Sequence, residues 1–283
     1  MINHPTIAVI GAGVMGEAII SGLLKNGVAQ PESICIADPL VDRMTDLQAA
    51  YGVKQLSDNA KAAEGADLVV LSVKPQNLNK VLSSLKGRID AQALVFSIIA
   101  GASIQSISSG LDHNAVVRCM PNTPAQIGKG ITVWTASLAV SEDQKDLARQ
   151  VLEAMGEEVF VEEEYYLDMA TALSGTGPAY VFLFLEALID AGVHLGFPRR
   201  IAEQLVFQTL RGSLDYFEMK KEHPAHLRNQ VTSPGGTSAA ALYYLEKAGF
   251  RTALSRAIWA AYERSVELGQ GKTVHVPEKN SQE

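Results

Sequence analysis

Near the start of the chain stands Gly11-Ala12-Gly13-Val14-Met15-Gly16, between an apolar run at residues 6–10 and a segment with helical spacing at residues 17–24. A glycine-rich turn between a strand and a helix is typical of dinucleotide binding. The first glycine permits the tight turn, the second lets the backbone approach a pyrophosphate, and the third lets helix and strand pack closely. The helix N-terminus then faces the phosphates. We therefore predict that this turn binds a dinucleotide.

Apolar runs and helical segments alternate through the first half of the chain. Strand patterns recur at residues 33–37, 67–73, 93–99, 116–120, 131–135 and 158–161, and helical patterns at 40–51, 78–85 and 141–155. Such alternation builds a parallel sheet covered by helices. From residue 165 onward nearly every segment has helical spacing. The sequence predicts an α/β Rossmann-like domain with a parallel sheet at residues 1–163, an all-α domain at 164–270 and a flexible polar tail at 271–283.

The helical half is unusually apolar in one segment. Predicted helices cover residues 165–173, 178–194, 198–216, 237–248 and 251–268, and Pro178 and Pro198 stand where a missing N–H costs nothing. The segment at residues 180–189 is apolar almost all round. This helix is therefore either buried in its own domain or packed against another subunit, and the second alternative predicts a homo-oligomer.

Composition limits the classes of function. A net charge of −7 gives no basic surface for nucleic acid, and no stretch reaches the ~18 uncharged apolar residues of a membrane span. The start of the chain passes into a strand without a basic region, so we expect a cytoplasmic protein. Cys35 and Cys119 are predicted to be small buried hydrophobes. His194, His223 and His226 favour surface or capping roles, and no metal site is expected.

The cofactor preference depends on the end of the second strand. Asp38 stands where a carboxylate commonly hydrogen-bonds the ribose 2′-OH of NAD and would repel the extra phosphate of NADP. Asp38 could instead be the N-cap of the next helix. Arg43 could bind a 2′-phosphate, but its position on a helix favours an ordinary surface role. The choice between NADH and NADPH stays open.

Two further glycine turns precede helices. Ser233-Pro234-Gly235-Gly236-Thr237-Ser238 presents backbone N–H groups and hydroxyls that suit a small carboxylate. Ser174-Gly175-Thr176-Gly177-Pro178 would let the backbone approach a flat ring or carboxamide. Plain helix capping is the alternative for both turns. Together with the first glycine turn, they predict a redox cofactor and a small acidic substrate that meet between two domains, which favours an enzyme.

The run Leu227-Arg228-Asn229-Gln230-Val231-Thr232-Ser233-Pro234-Gly235-Gly236-Thr237-Ser238 resembles the signature of the pyrroline-5-carboxylate reductases. Three other segments agree with that family in order and spacing: Val73-Lys74-Pro75-Gln76, Met120-Pro121-Asn122-Thr123-Pro124-Ala125 and Ser174-Gly175-Thr176-Gly177-Pro178-Ala179-Tyr180. The resemblance extends from Ile7 to about Gly269.

The resemblance implies NAD(P)H-dependent reduction of the C=N bond of 1-pyrroline-5-carboxylate to L-proline, the last step of proline biosynthesis. It assigns the dinucleotide to Gly11, Ala12, Gly13, Val14, Met15, Gly16, Asn59, Ser72, Val73, Lys74, Pro75, Ile98, Ile99 and Ala100. It assigns the substrate carboxylate to backbone N–H groups of the loop formed by Val231, Thr232, Ser233, Gly235, Gly236 and Thr237. Ser238 stands where the family has a threonine whose hydroxyl bonds the ring nitrogen, so the hydroxyl is kept and the methyl is lost.

The resemblance also implies assembly and cofactor use. The all-α domains of the family interlock as homodimers, and some members form decamers. The family often prefers NADPH, whereas Asp38 departs toward NADH, so we expect both to serve.

The chemistry agrees with these residues. A protonated imine is already an electrophile, so hydride transfer requires alignment and exclusion of water more than a strong acid. A 3-hydroxyacid dehydrogenase is the nearest alternative enzyme, but it would need a lysine where Ala179-Tyr180-Val181-Phe182 has none. A non-catalytic NAD(P) sensor would not need the loop at residues 233–238.

Overall fold

The computed structural model describes residues 5–270 of the 283-residue chain. The chain forms two compact units: the first runs through Thr176 and resumes at Ala261, and the second is Gly177–Ala260. The predicted flexible tail at residues 271–283 lies outside the described residues.

Eight strands form one sheet in the first unit, in the order β3-β2-β1-β4-β5-β6-β7-β8. The strands are β1 (Ile7–Ile10), β2 (Ile34–Ala37), β3 (Lys54–Gln55), β4 (Leu68–Leu71), β5 (Leu94–Ser97), β6 (Val116–Met120), β7 (Gly130–Ala136) and β8 (Gly156–Phe160). All neighbours pair in parallel except β6 and β7, which are antiparallel. The link between these two strands, residues 121–129, is too short for the crossover that parallel strands need.

Helices cover both faces of this sheet. They are α1 (Val14–Lys25), α2 (Val41–Tyr51), α3 (Asn59–Ala63), α4 (Leu78–Leu85), α5 (Ile104–Leu111), α6 (Glu142–Glu153) and α7 (Tyr166–Ala170). Alternate residues of β1 enter two different cores, Ile7 and Val9 on one face and Ala8 and Ile10 on the other. The strand is therefore buried on both sides, as parallel sheets require.

The second unit is helical, as predicted. Its elements are α8 (Gly177–His194), α9 (Arg199–Lys220), α10 (Pro224–Gln230), α11 (Thr237–Lys247) and α12 (Phe250–Gly269), and the end of α12 belongs to the first unit. Among the described residues of α8, Ile189 alone is buried. The continuous helix Tyr166–His194 is long and apolar enough to cross a membrane by length and composition only, and it is the one such helix in the described chain.

The first unit extends beyond the boundary that the sequence places at residues 163 and 164. Leu167 is fully buried, and α7 packs on β6 and β7. The Ser265 hydroxyl of α12 donates to Asp168 of α7 at 2.8 Å. These contacts tie α7 and the end of α12 to the sheet, so the compact units divide the chain at Gly177.

The glycine turn predicted at residues 174–178 is wrong in one respect. A helix does begin at Gly177, but Thr171–Gly175 forms a π-helical turn continuous with α7. The Ser174 hydroxyl donates to the Ala170 carbonyl at 3.0 Å, and the Thr176 hydroxyl donates to the Thr171 carbonyl at 2.8 Å. These hydroxyls satisfy carbonyls inside the widened turn, and such π-helical turns are frequent at functional sites.

Candidate active site

The first glycine turn has the conformation that close packing demands. Gly11 has φ +102°, and a Cβ there would lie 2.7 Å from the carbonyl oxygen of Ser72. A Cβ on Gly16 would overlap the Gly11 carbonyl oxygen. Gly13 is different, because in the described chain no heavy atom beyond its own neighbours lies within 4 Å of where its Cβ would stand. The second glycine thus keeps space open in front of the turn, at the start of α1.

The Asp38 side chain connects this turn to the end of β2 by a hydrogen bond. Its carboxylate accepts the Ala12 amide at 2.8 Å and the Leu40 amide at 2.9 Å. The N-cap of α2 is Leu40 itself, so the alternative that Asp38 caps this helix is wrong. The carboxylate therefore lies beside the glycine turn, where a cofactor ribose would come.

Arg43 is not an ordinary surface residue. Its Nε donates to the Ala12 carbonyl at 2.9 Å, and its guanidinium forms an ion pair with Glu17 of α1. The Tyr51 hydroxyl donates to the other oxygen of Glu17 at 3.0 Å. Sequence reasoning missed Glu17 and Tyr51, which lie 34 positions apart on different helices.

A cleft of about 230 Å³ opens beside Asp38. Four of the predicted cofactor residues line it: Gly11, Asp38, Asn59 and Val73. Asn59 begins α3 and donates to the Ser84 hydroxyl at 3.1 Å. The Ser72 hydroxyl donates to the Gly11 carbonyl at 2.6 Å, so Ser72 supports the turn itself.

The remaining predicted cofactor residues are placed in different ways. Pro75 and Ala100 line a second depression, together with Leu268 and Gly269 from the end of α12. Lys74 and Val14 are exposed, Ala12 is buried, and Met15 and Ile98 are partly buried. The side chain of Ile99 is buried in the core, so only its backbone can reach a ligand.

These residues share one location in the sheet. Gly11, Asp38, Ser72 and Ile98 follow the carboxyl ends of β1, β2, β4 and β5, which are neighbouring parallel strands. The chain order reverses between β1 and β4, and ligands of open α/β sheets bind at such a switch point. The open space at Gly13 and the cleft beside Asp38 fit a dinucleotide, with the turn at its pyrophosphate.

The glycine turn at residues 233–238 lies in the helical unit. Gly235 has φ +72°, and a Cβ on Gly236 would lie 2.6 Å from Ser233 Oγ. Gly236 is the N-cap of α11 and, within the described chain, no side chain caps it. The capping alternative is thus realised by Gly236 itself, and the serine and threonine hydroxyls of the turn take no part in the cap. The first amides of a helix have no partner inside it, so the N–H groups of Thr237 and Ser238 are available to an anion.

Hydrogen bonds to backbone carbonyls hold the rest of this loop. The Thr232 hydroxyl donates to the Arg228 carbonyl at 2.6 Å, and the Gly236 amide donates to the Ser233 carbonyl at 3.0 Å. Val231 is exposed, whereas Ser238 is partly buried. The loop thus brings together all the residues predicted to bind the substrate, at the start of one helix.

Two protein families match parts of this chain. "Pyrroline-5-carboxylate reductase dimerisation" matches residues 164–268, and "NADP oxidoreductase coenzyme F420-dependent" matches residues 6–101. The pyrroline-5-carboxylate reductase of Synechocystis sp. is 44% identical over 93% of this chain and 98% of its own length. The chain belongs to the pyrroline-5-carboxylate reductase family.

Solved structures of the family have the same fold. The pyrroline carboxylate reductase of Plasmodium falciparum, with NADP bound, superposes with a TM-score of 0.88 at 31% identity and covers 95% of this chain and 100% of its own. The Coxiella burnetii pyrroline-5-carboxylate reductase gives 0.84 at 37% identity and covers 96% and 100%. The predicted family, the Rossmann-like fold with a helical second part, and the class of NAD(P)H-dependent oxidoreductase are confirmed. The chain also carries the family's dimerisation region.

One buried cluster escaped the sequence analysis. Arg118 of β6 is 5% exposed and donates to Glu164 at 2.8 Å and to Asp168 at 3.3 Å. Glu164 also accepts the Ile104 amide at 2.8 Å, and Asp168 accepts the Ser265 hydroxyl. An arginine among apolar strand residues was the available signal, because a buried charge requires a partner.

Proposed function

We propose that this chain reduces 1-pyrroline-5-carboxylate to L-proline with NADH or NADPH, as the last step of proline biosynthesis. Membership of the family supports this reaction, and the glycine turn at residues 233–238 is the main structural observation in its favour. Free amides and a hydroxyl at the start of α11 match a substrate with one carboxylate and one ring nitrogen. The expected test is imine-dependent oxidation of NADH or NADPH with proline as product, and no turnover of a 3-oxoacid control. Turnover of the 3-oxoacid alone would move the assignment to a hydroxyacid dehydrogenase.

The dinucleotide, when bound, supplies the hydride. The glycine turn would hold its pyrophosphate through backbone amides and the start of α1, with Asp38 at the adenosine ribose and Asn59 in the adjoining cleft. Val73 lines the same cleft, and Pro75 and Ala100 line the neighbouring depression. Lys74, Ile98 and Ile99 complete the proposed set through backbone positions at the ends of β4 and β5.

The substrate loop orients the imine. We assign the carboxylate to amides of the loop from Val231 to Thr237, since a helix N-terminus favours an anion. The Ser238 hydroxyl would bond the ring nitrogen. Hydride adds to the ring carbon of the C=N bond, the bond's electron pair passes to nitrogen, and the amine proton derives from solvent. Because the protonated imine is already electrophilic, positioning within about 3–3.5 Å is the main requirement.

Two variants at Ser238 test this role. Removal of the hydroxyl in Ser238→Ala takes away one polar contact to the nitrogen, worth about 0.5–1.5 kcal/mol, so kcat/KM for the imine should fall roughly threefold to tenfold. Ser238→Thr restores the methyl that the family carries and keeps the hydroxyl, so it should retain wild-type kcat/KM or exceed it. Wild-type kcat/KM in Ser238→Ala would remove Ser238 from the mechanism.

We propose that the helical unit forms the homodimer. Leu183 of α8, Leu214 of α9 and Trp259 of α12 are each more than 60% exposed, with values of 66%, 63% and 62%. A groove of about 540 Å³ between α8 and α12 is lined almost wholly by apolar side chains, Phe184 and Leu254 among them. Apolar surface of this extent marks an interface.

Burial of these helices against a second copy would also cover the long apolar helix, consistent with a cytoplasmic enzyme rather than a membrane protein. Light scattering should give twice the monomer mass, or a decamer if dimers assemble further. Phe184→Asp should shift the mass to the monomer. A monomeric wild-type protein would refute the proposed homodimer.

A further inference from the structure

Arg43 is held from two directions in the cofactor unit. Its Nε donates to the carbonyl oxygen of Ala12 in the glycine turn, and its terminal nitrogen pairs with Glu17. Asp38 binds the N–H of the same residue of the turn, Ala12, at 2.8 Å. The guanidinium is thus part of the support of the glycine turn, and its side chain is only 30% exposed.

Glu17 is the partner that neutralises this arginine. The hydrogen bond from Arg43 holds the pKa of Glu17 below its ordinary value, so Glu17 is ionised at neutral pH. Burial and the hydrogen bond to Glu17 raise the pKa of the Tyr51 hydroxyl, which therefore stays protonated and donates to Glu17. The carboxylate is fixed between two donors, one from each end of α2.

The balance of charge matters for the ribose. The Glu17 and Asp38 carboxylates and the Arg43 guanidinium bond to one another or to the glycine turn, and Lys80 lines the adjoining cleft. The 2′-phosphate of NADP would bring about −1.5 to −2 charges to this site. An arginine that recognises a phosphate does so best with its donors free in a bidentate arrangement. Here one donor is bound to the glycine turn and another to a carboxylate.

We propose that Glu17, supported by Tyr51, restrains Arg43 from the cofactor's 2′-phosphate and so shifts the chain's preference toward NADH. The inference rests on the proposed cofactor site. It adds Glu17 and Tyr51 as specificity-determining residues, with Glu17 acting through Arg43 and not on the cofactor directly.

Binding of nucleotide fragments tests this without turnover. The probes are 5′-AMP and adenosine 2′,5′-bisphosphate, which differ only in the 2′-phosphate, and calorimetry on the full-length protein gives the two Kd values. In the wild type the bisphosphate should bind no more tightly than 5′-AMP. If neither fragment binds, the proposed cofactor site is wrong and the inference falls with it. If the fragments bind but the ratio behaves otherwise than described below, only the inference is wrong.

Glu17→Gln removes the carboxylate that neutralises Arg43 and keeps the shape of the side chain at position 17. The Kd ratio of 5′-AMP to bisphosphate should rise about tenfold, the effect of one unpaired charge near a partly exposed phosphate. Asp46→Asn is the matched control, because Asp46 is an exposed carboxylate of α2 without an ion pair in the described chain. This control should leave the ratio within twofold. An equal rise in both variants would show a general charge effect and overturn the proposal.

Further variants separate Arg43 from other cations. Tyr51→Phe should raise the ratio in the same direction by a smaller factor, and this variant decides the matter if Glu17→Gln does not fold. Arg43→Gln should leave the ratio unchanged in the wild type but abolish the rise in Glu17→Gln. A tenfold fall in the Kd ratio in Arg43→Gln alone would mean that Arg43 already binds the 2′-phosphate in the wild type. Lys80 also lines the cleft, and a rise that depended on Lys80 instead would likewise refute the proposal.

Discussion

Replacement of Gly13 by alanine separates cofactor binding from folding. Gly13 has φ −69° and ψ −172°, which any residue adopts, and within the described chain its Cβ would meet no heavy atom closer than 4 Å. Alanine is a poorer N-cap than glycine by about 0.5–1 kcal/mol, but it lowers the entropy of the unfolded chain by about 0.4–1 kcal/mol. The two effects nearly cancel, so the free energy of unfolding should change by less than about 0.5 kcal/mol.

The binding of the dinucleotide should change far more. The new methyl occupies the space through which the pyrophosphate would approach the amides of the turn. Loss of one charge-assisted hydrogen bond costs about 1.5–3 kcal/mol, which is roughly a 10- to 150-fold rise in Kd. Calorimetry with NADPH and with NADH gives the Kd, and urea denaturation gives the stability.

Gly16→Ala is the contrasting variant. Its Cβ would overlap the Gly11 carbonyl oxygen, so overpacking should cost about 1–3 kcal/mol of stability. A Gly13→Ala protein that binds both dinucleotides with the wild-type Kd would refute the assignment of the pyrophosphate to this turn. A large loss of stability in Gly13→Ala would show that the folded protein has no free space for a side chain at this position.

Arg118→Met should lower the free energy of unfolding by about 2 kcal/mol in urea denaturation, below the 3–5 kcal/mol of a fully buried pair because its carboxylate partners keep 31% and 21% exposure; an unchanged midpoint would contradict this. Gly235→Ala should raise KM for the imine and cost about 1–2 kcal/mol, since its φ of +72° is unfavourable for alanine; a wild-type KM would count against a role of this backbone in substrate binding. Glu17→Gln should lower stability at neutral pH by less than about 1 kcal/mol, because the ion pair is one-third exposed. The lowered pKa of Glu17 means that this stabilisation exists above the ordinary glutamate pKa and disappears as pH falls through the folded value. The difference between wild type and variant should therefore vanish in acid, and a difference that grew there would contradict the assignment.

Local signals sufficed for the centre of the fold. The glycine turn and the alternating segments predicted the sheet. The predicted site residue Asp38, at the end of a strand, lines the cleft in the structure. The direction of β7 depends on the length of one connection, and the two-residue strand β3 and the short helix α3 carry too few residues for a pattern.

Local sequence patterns could not predict contacts between residues that lie far apart in the chain. The partners of Arg118 lie 46 and 50 positions away, and nothing local indicates which carboxylates meet it. The π-helical turn at Thr171–Gly175 was likewise not predicted, because its glycine and serine residues indicate a turn before a helix. In the structure the segment stays helical, and the Ser174 hydroxyl donates to the Ala170 carbonyl.

Transfer of deuterium from the cofactor to the product tests whether hydride passes directly to the imine. The protein is supplied with 1-pyrroline-5-carboxylate and with NADPH or NADH that carries deuterium on the reactive face of nicotinamide C4, and the product is examined by NMR. Direct hydride transfer should give L-proline with one deuterium on Cδ, the former C=N carbon, and none on the amine nitrogen after exchange with water. Proline without deuterium, or oxidation of the cofactor without proline, would contradict direct hydride transfer to the imine.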